Sequence, residues 1–145
     1  MSDVLTLSQI RVPGTARSKD DAIREAGEML VEAGAVTPEY IDSMYERERS
    51  VSTYMGNYLA IPHGTNESKE SIKRSALSVI RYDQPIDWDG NEVRFALGIA
   101  GYQGGHMDIL SRVAIVFSDT DEVDKLLAAG SAEEIYDILN AVNEE

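Results

Sequence analysis

Apolar residues recur along this chain with two periods, and each change of period marks an element. Val4, Leu5, Leu7 and Ile10, followed by Val12-Pro13-Gly14, predict a short strand running into a turn. From Ser18, a plausible helix cap, apolar positions at Ala22, Ile23, Ala26, Met29, Leu30 and Ala33 predict an amphipathic helix closed by Gly34. Thr37-Pro38 opens a second, with Tyr40, Ile41, Met44 and Tyr45 on its apolar face and an end near Arg49 or Ser50. Leu59 to Ile61 has the length of a buried strand, stopped by Pro62, which cannot donate to a ladder. Residues 66–71 are polar and read as a turn or a short helix.

Ser75 to Tyr82 predicts a strand that Gln84-Pro85 breaks, and Asp89-Gly90 marks a local hairpin between Ile86 and Val93, with Trp88 as a core or edge plug. Val93 to Ala100 is the strongest strand signal, and it runs through the glycine-rich residues 101–106 into a helix over Met107 to Ser118. Two further helices follow. Asp119 or Thr120 caps the first, which Gly130 closes, and Ser131 caps the second, with Ile135, Ile138, Leu139 and Val142 inward. Strands and helices intermingle around a hairpin, which predicts an α/β sandwich on a mixed sheet.

Composition narrows the class. The 145 residues fit one domain, 1–145, with no linker or repeat, and no apolar run is long enough for a signal peptide or a membrane span, so a soluble cytoplasmic protein is expected. With no cysteine there is no disulfide, thiolate zinc site or cysteine nucleophile. A formal net charge of −13 argues against nucleic acid and for a basic protein partner. Residues 119–145 hold nine acidic residues against Lys125 alone, which reads as the solvated faces of the last helices or as a docking surface for such a partner.

Candidate chemistry gathers at two histidines. His63 sits just off a strand end, Gly64 leaves room around the imidazole, and Thr65 adds a hydroxyl and an amide beside it. His106 lies at the start of a helix, where unpaired amides and the dipole favour an anion. On spacing alone His63 reads first as a loop residue, His106 as a helix-entry residue and Arg47 as an exposed residue complementing a helix dipole. Its planar fork would also suit phosphate oxygens. Two histidines without cysteine make a poor zinc site, and neither a phosphate-binding G-x-x-x-x-G-K-[ST] loop nor a G-x-S-x-G elbow is present, so no metal or cofactor is expected.

Glu48, six intervening residues, Met55-Gly56, two more, and Leu59-Ala60-Ile61-Pro62-His63-Gly64 together resemble the active-site signature of the enzyme IIA domains of the mannitol/fructose class. Those belong to the bacterial phosphoenolpyruvate-dependent sugar phosphotransferase system. The resemblance implies a mostly parallel sheet of about five strands with helices on both faces, with His63 as phosphoryl acceptor and donor through Nε2. It also implies that Arg47 and His106 bind phosphoryl oxygens or stabilise charge, while Gly64 and Thr65 are expected beside the phosphate. Its implied partners are the phosphocarrier HPr as donor and a cysteine of enzyme IIB as acceptor. Pro62-His63-Gly64-Thr65 and Leu97-Gly98-Ile99-Ala100 leading to His106 resemble the mannitol type more than the fructose type. Because the chain begins with Met and spans one domain, a free-standing enzyme IIA is expected. The alternatives are a fructose type, a regulatory nitrogen-type enzyme IIA that switches partners on phosphorylation, and a non-catalytic interaction module of similar fold with His63 inert.

Overall fold

Three helix starts have a local side-chain cause, whereas the helix Glu39–Ser50 begins at Pro38 with no side-chain cap bond. Ser18 Oγ accepts from the amide of Asp21, the Asp119 carboxylate from Asp121, and Ser131 Oγ from Glu134. Each bond satisfies a first-turn amide that has no carbonyl four residues back, and is worth about 1 kcal/mol. These three expected caps are present, and Gly34 closes the first helix at φ 75°, a conformation open to glycine without a Cβ penalty.

The computed structural model describes residues 4–65, 70–102 and 106–140, and of His106 the backbone alone. Its elements are a 3-10 turn (Leu7–Gln9), β1 (Ile10–Arg11), α1 (Lys19–Glu32), α2 (Glu39–Ser50), β2 (Tyr54–Gly56), β3 (Leu59–Ala60), β4 (Ala76–Trp88), β5 (Asn91–Ala100), α3 (His106–Phe117), α4 (Thr120–Ala128) and α5 (Ala132–Leu139). The five strands form one mixed sheet in the order β1-β4-β5-β3-β2. The pairs β1–β4 and β3–β5 run parallel, β4–β5 and β2–β3 antiparallel. The helices α1 and α2 lie between the parallel partners β1 and β4, and β4 itself lies in the chain between the parallel partners β3 and β5. The β4–β5 hairpin pairs over the greater length because Asp89 and Gly90, both at positive φ, turn the chain back at once.

Two expected boundaries differ: the alternation from Val4 to Ile10 folds as the 3-10 turn Leu7–Gln9 with only Ile10–Arg11 pairing as a strand, and the break after Tyr82 is absent. Gln84-Pro85 does not end the strand: β4 continues to Trp88, and its register against β5 shifts between Arg81 and Ile86. The extra residues bulge out of the ladder, so Pro85 stands where no donor is required. The polar segment after Thr65 falls largely on residues 66–69, and Val142 on residues 141–145, all outside the described residues.

Alternation along the central strands divides the core between two faces. Leu77 and Val79 of β4 with Phe95, Leu97 and Ile99 of β5 pack against Ile109, Val113, Phe117, Val123, Leu126, Ile135 and Leu139 of α3, α4 and α5. On the other face Ala76, Ile80, Ala96 and Ala100 pack against Ile23, Ala26, Leu30, Tyr40 and Met44 of α1 and α2. This is the α/β sandwich on a mixed sheet that the pattern implied, with the helices on both faces that the resemblance implied. Small side chains bring α1 close to the sheet. A Cβ on Gly98 would lie 2.5 Å from Ser78 Oγ and 3.1 Å from Ala26 Cβ, and Ser78 Oγ donates to the Ala26 carbonyl at 2.9 Å.

Candidate active site

Parallel pairing of β3 with β5 puts the carboxyl ends of both strands on one edge of the sheet, the usual place for a site in an open α/β sheet. His63 follows β3 there, and a single parallel bridge pairs it with Ile99 of β5. Beyond β5 the chain enters α3 at His106. The topology therefore starts α3, with the backbone of His106, after the same strand β5 that His63 pairs with. The side chain of His106 and residues 103–105 lie outside the described residues.

His63 is half-buried, and its Nδ1 lies 2.7 Å from the carbonyl oxygen of Ile61. A carbonyl can only accept, so in the neutral ring Nδ1 carries the proton and the lone pair resides on Nε2. The backbone on both sides is held. The Ile99 amide donates to the Pro62 carbonyl at 3.1 Å, and the Ile61 amide to the Thr53 carbonyl at 3.1 Å.

Helix α2 supplies the other wall. Tyr40, Ser43 and Arg47 share one stripe at helical spacing. The Tyr40 hydroxyl donates to the Ile99 carbonyl at 2.7 Å and accepts from the Gly64 amide at 2.9 Å. Burial pushes its pKa up to about 12, against the opposing pull of the Gly64 amide, so it keeps its proton at neutral pH. Ser43 Oγ accepts from the Thr65 amide at 3.2 Å and lies 3.1 Å from Thr65 Oγ1. The amides of Gly64 and Thr65 thus donate into α2, whereas the sequence had placed them beside a phosphoryl group. Arg47 stands near the end of the stripe, where its guanidinium donates to the Val51 carbonyl at 2.8 Å and closes the last turn of α2. That is the dipole-complementing role open to it from spacing alone.

Glu48, the acidic residue of the signature, is buried and acts as a brace. It accepts from the Thr53 amide at 2.8 Å, from the Thr53 hydroxyl, and from Trp88 Nε1 at 3.1 Å, with Lys19 Nζ at 3.8 Å. Thr53 in turn holds Ile61, two residues before His63. A separate open groove of about 550 Å³, lined by residues including Arg17, Tyr82 and Gln84, lies toward the opposite end of the sheet, where β4 bulges.

The sequence model of the family described as "Phosphoenolpyruvate-dependent sugar phosphotransferase system, EIIA 2" matches residues 3–142. The chain belongs to this family. Among its EIIA relatives, a mannitol-specific phosphotransferase enzyme IIA component from Halalkalibacterium halodurans is 52% identical over 141 residues, 97% of each chain. Enzyme IIA of the mannitol system from Escherichia coli, solved in complex with phosphorylated enzyme IIB, superposes with a TM-score of 0.87 at 29% identity, over 93% of this chain and 96% of that one. The nitrogen regulatory protein IIA-Ntr from Neisseria meningitidis gives 0.81 at 29% identity, over 94% and 96%.

Sequence reasoning about this EIIA chain missed Tyr40 and Ser43 as partners of the histidine loop. Tyr40 was read only as part of an apolar face. The available signal was the spacing of Tyr40, Ser43 and Arg47, which puts two hydroxyls and a guanidinium on one line.

Proposed function

We propose that this enzyme IIA is a phosphoryl carrier of the sugar phosphotransferase system that works in the cytoplasm and serves mannitol uptake. His63 takes a phosphoryl group from phosphorylated HPr and hands it to a cysteine of the cognate enzyme IIB. The observation that carries this reading is the 2.7 Å contact from Nδ1 to the Ile61 carbonyl, which supports Nε2 as the nucleophile by leaving the neutral ring's lone pair there. In the first step the Nε2 lone pair attacks phosphorus in line while the donor's N–P bond breaks and its electron pair returns to the donor imidazole. Positive charge builds on the His63 ring as the bond forms, and the Ile61 carbonyl stabilises the Nδ1–H that bears it. In the second step the enzyme IIB thiolate attacks, the Nε2–P bond breaks, and its pair returns to Nε2. No proton need move in either step. The family resemblance assigns Arg47 and His106 to the phosphoryl oxygens, and Arg47 would leave its bond to the Val51 carbonyl to reach them.

Incubation with phosphoenolpyruvate, enzyme I and HPr tests the relay. An acid-labile phosphoryl group is expected on the wild type and none on His63→Gln, with a smaller loss in His106→Gln. An unlabelled wild type beside labelled HPr would sink the relay and leave the interaction-module reading. The resemblance to the nitrogen regulatory protein supports a regulatory alternative, which growth on mannitol decides. Loss of growth in a deletion strain fits the carrier, and intact uptake fits the regulator.

A further inference from the structure

The residue that follows His63 is tied to the same strand as the residue that precedes it, by way of a side chain from a helix. The Pro62 carbonyl accepts from the Ile99 amide, the Ile99 carbonyl accepts from the Tyr40 hydroxyl, and that hydroxyl accepts from the Gly64 amide. This closed circuit of three hydrogen bonds spans one residue, His63. Its polarity is forced, because a carbonyl cannot donate: the phenolic proton points at Ile99 and a phenolic lone pair at Gly64. Tyr40 is only 2% exposed, so water does not compete for either bond. One turn along α2, Ser43 takes the next amide, that of Thr65.

We infer that Tyr40 and Ser43 are positioning residues for phosphoryl transfer at His63: together they fix the backbone after the ring, while Ile99 fixes the backbone before it. Both hydroxyls are engaged with the loop and the sheet: that of Tyr40 with Ile99 and Gly64, that of Ser43 with Thr65. Their effect passes through the main chain, which keeps Nδ1–H on the Ile61 carbonyl and holds Nε2 in one direction. In-line attack is sensitive to such placement, and a displacement of about 1 Å can cost on the order of 100-fold in rate. The inference rests on the phosphoryl-carrier reading above.

The Tyr40 ring also packs in the core between α2 and the sheet, and Tyr40→Phe keeps that packing while removing both bonds of the hydroxyl. Single-turnover phosphorylation, followed against the concentration of phosphorylated HPr, separates the maximal rate from half-saturation. For Tyr40→Phe the maximal rate is expected to fall about tenfold or more with half-saturation within about twofold of wild type. Ser43→Ala should fall less, and Ser43→Thr, which keeps the hydroxyl, should recover. Nitrogen NMR of the unphosphorylated His63 ring supplies a readout that packing alone does not move, with the Nδ1–H tautomer of the wild type giving way to a mixture in Tyr40→Phe. A wild-type maximal rate, a loss carried by half-saturation, or an unchanged ring spectrum in Tyr40→Phe would each overturn the inference. Failure of the carrier reading has a different signature, an unlabelled wild type, and the ring spectrum then decides the positioning by itself.

Discussion

Glu25 is 5% exposed and ionised. Burial pushes its carboxyl up, but donors from the Thr15 amide and hydroxyl, Arg11, Tyr82 and the Ala16 amide together outweigh it and hold the pKa at about 2. The folded pKa lies below the unfolded one, so this stabilisation is complete above the ordinary carboxylate range and is lost as pH falls from about 4.5 toward 2, in total about 3 kcal/mol. Urea denaturation of wild type and Glu25→Gln across that window checks it. The variant should be less stable by about 2–3 kcal/mol at pH 7, with the gap closing as the wild type protonates. A gap that stays constant with pH would show the carboxylate charge to be idle. Little of this was legible in the sequence. Glu25 sits beside Ala26 on a clear helical pattern, but its donors come from residues 11, 15, 16 and 82, and only the folded chain assembles them. The site divides in the same way. His63 at a strand end could be read because Pro62 and the signature around it are local, whereas Tyr40 and Ser43 gain their roles from a loop more than twenty residues away.

At the level of elements, three helix starts and the glycine closure of α1 were readable, and the other closures described here were not. Ser18, Asp119 and Ser131 each bond an amide within three residues, so sequence proximity suffices. Several carboxyl ends are closed from afar: Asn57 Nδ2 donates to the Phe117 carbonyl of α3 at 2.7 Å, and Arg74 to the Ala33 carbonyl just after α1 at 2.6 Å. Arg81 donates to the carbonyls of Leu126, Leu127 and Ala129 at the end of α4. Pro85 was misread as a strand end for the same reason, since a bulge is a relation between two strands and its tolerance of proline depends on β5. Ser18→Ala is expected to cost about 1 kcal/mol. Arg81→Leu, which removes the donor to the Leu127 carbonyl of α4 and the Ala129 carbonyl just after it, is expected to cost about 3 kcal/mol. Urea midpoints rank the two, and an Arg81 variant no weaker than the Ser18 variant would mean that α4 finds other partners.

For the molecule as a whole, two independently packed helical layers meet through one thin sheet. Helix α1 approaches the sheet closely at Gly98, where any Cβ enters the space of Ser78 and Ala26. Gly98→Val should therefore lift α1 from the sheet and cost more than about 3 kcal/mol, read as a lowered thermal midpoint. An unchanged midpoint would show that α1 can slide. The Arg81 contact also has a consequence in time. Its acceptors lie 45 to 48 residues further along the chain, so a molecule that has paired β4 with β5 but not docked α4 leaves this guanidinium in water. Bonds that close after the folding barrier slow unfolding without speeding folding. Stopped-flow chevrons of Arg81→Leu should show a refolding arm near wild type and unfolding faster by roughly 100-fold, the kinetic equivalent of the expected loss. A slowed refolding arm would place α4 in the folding nucleus instead. On the expected outcome, the lifetime of the folded carrier is governed by a side chain that plays no part in making it.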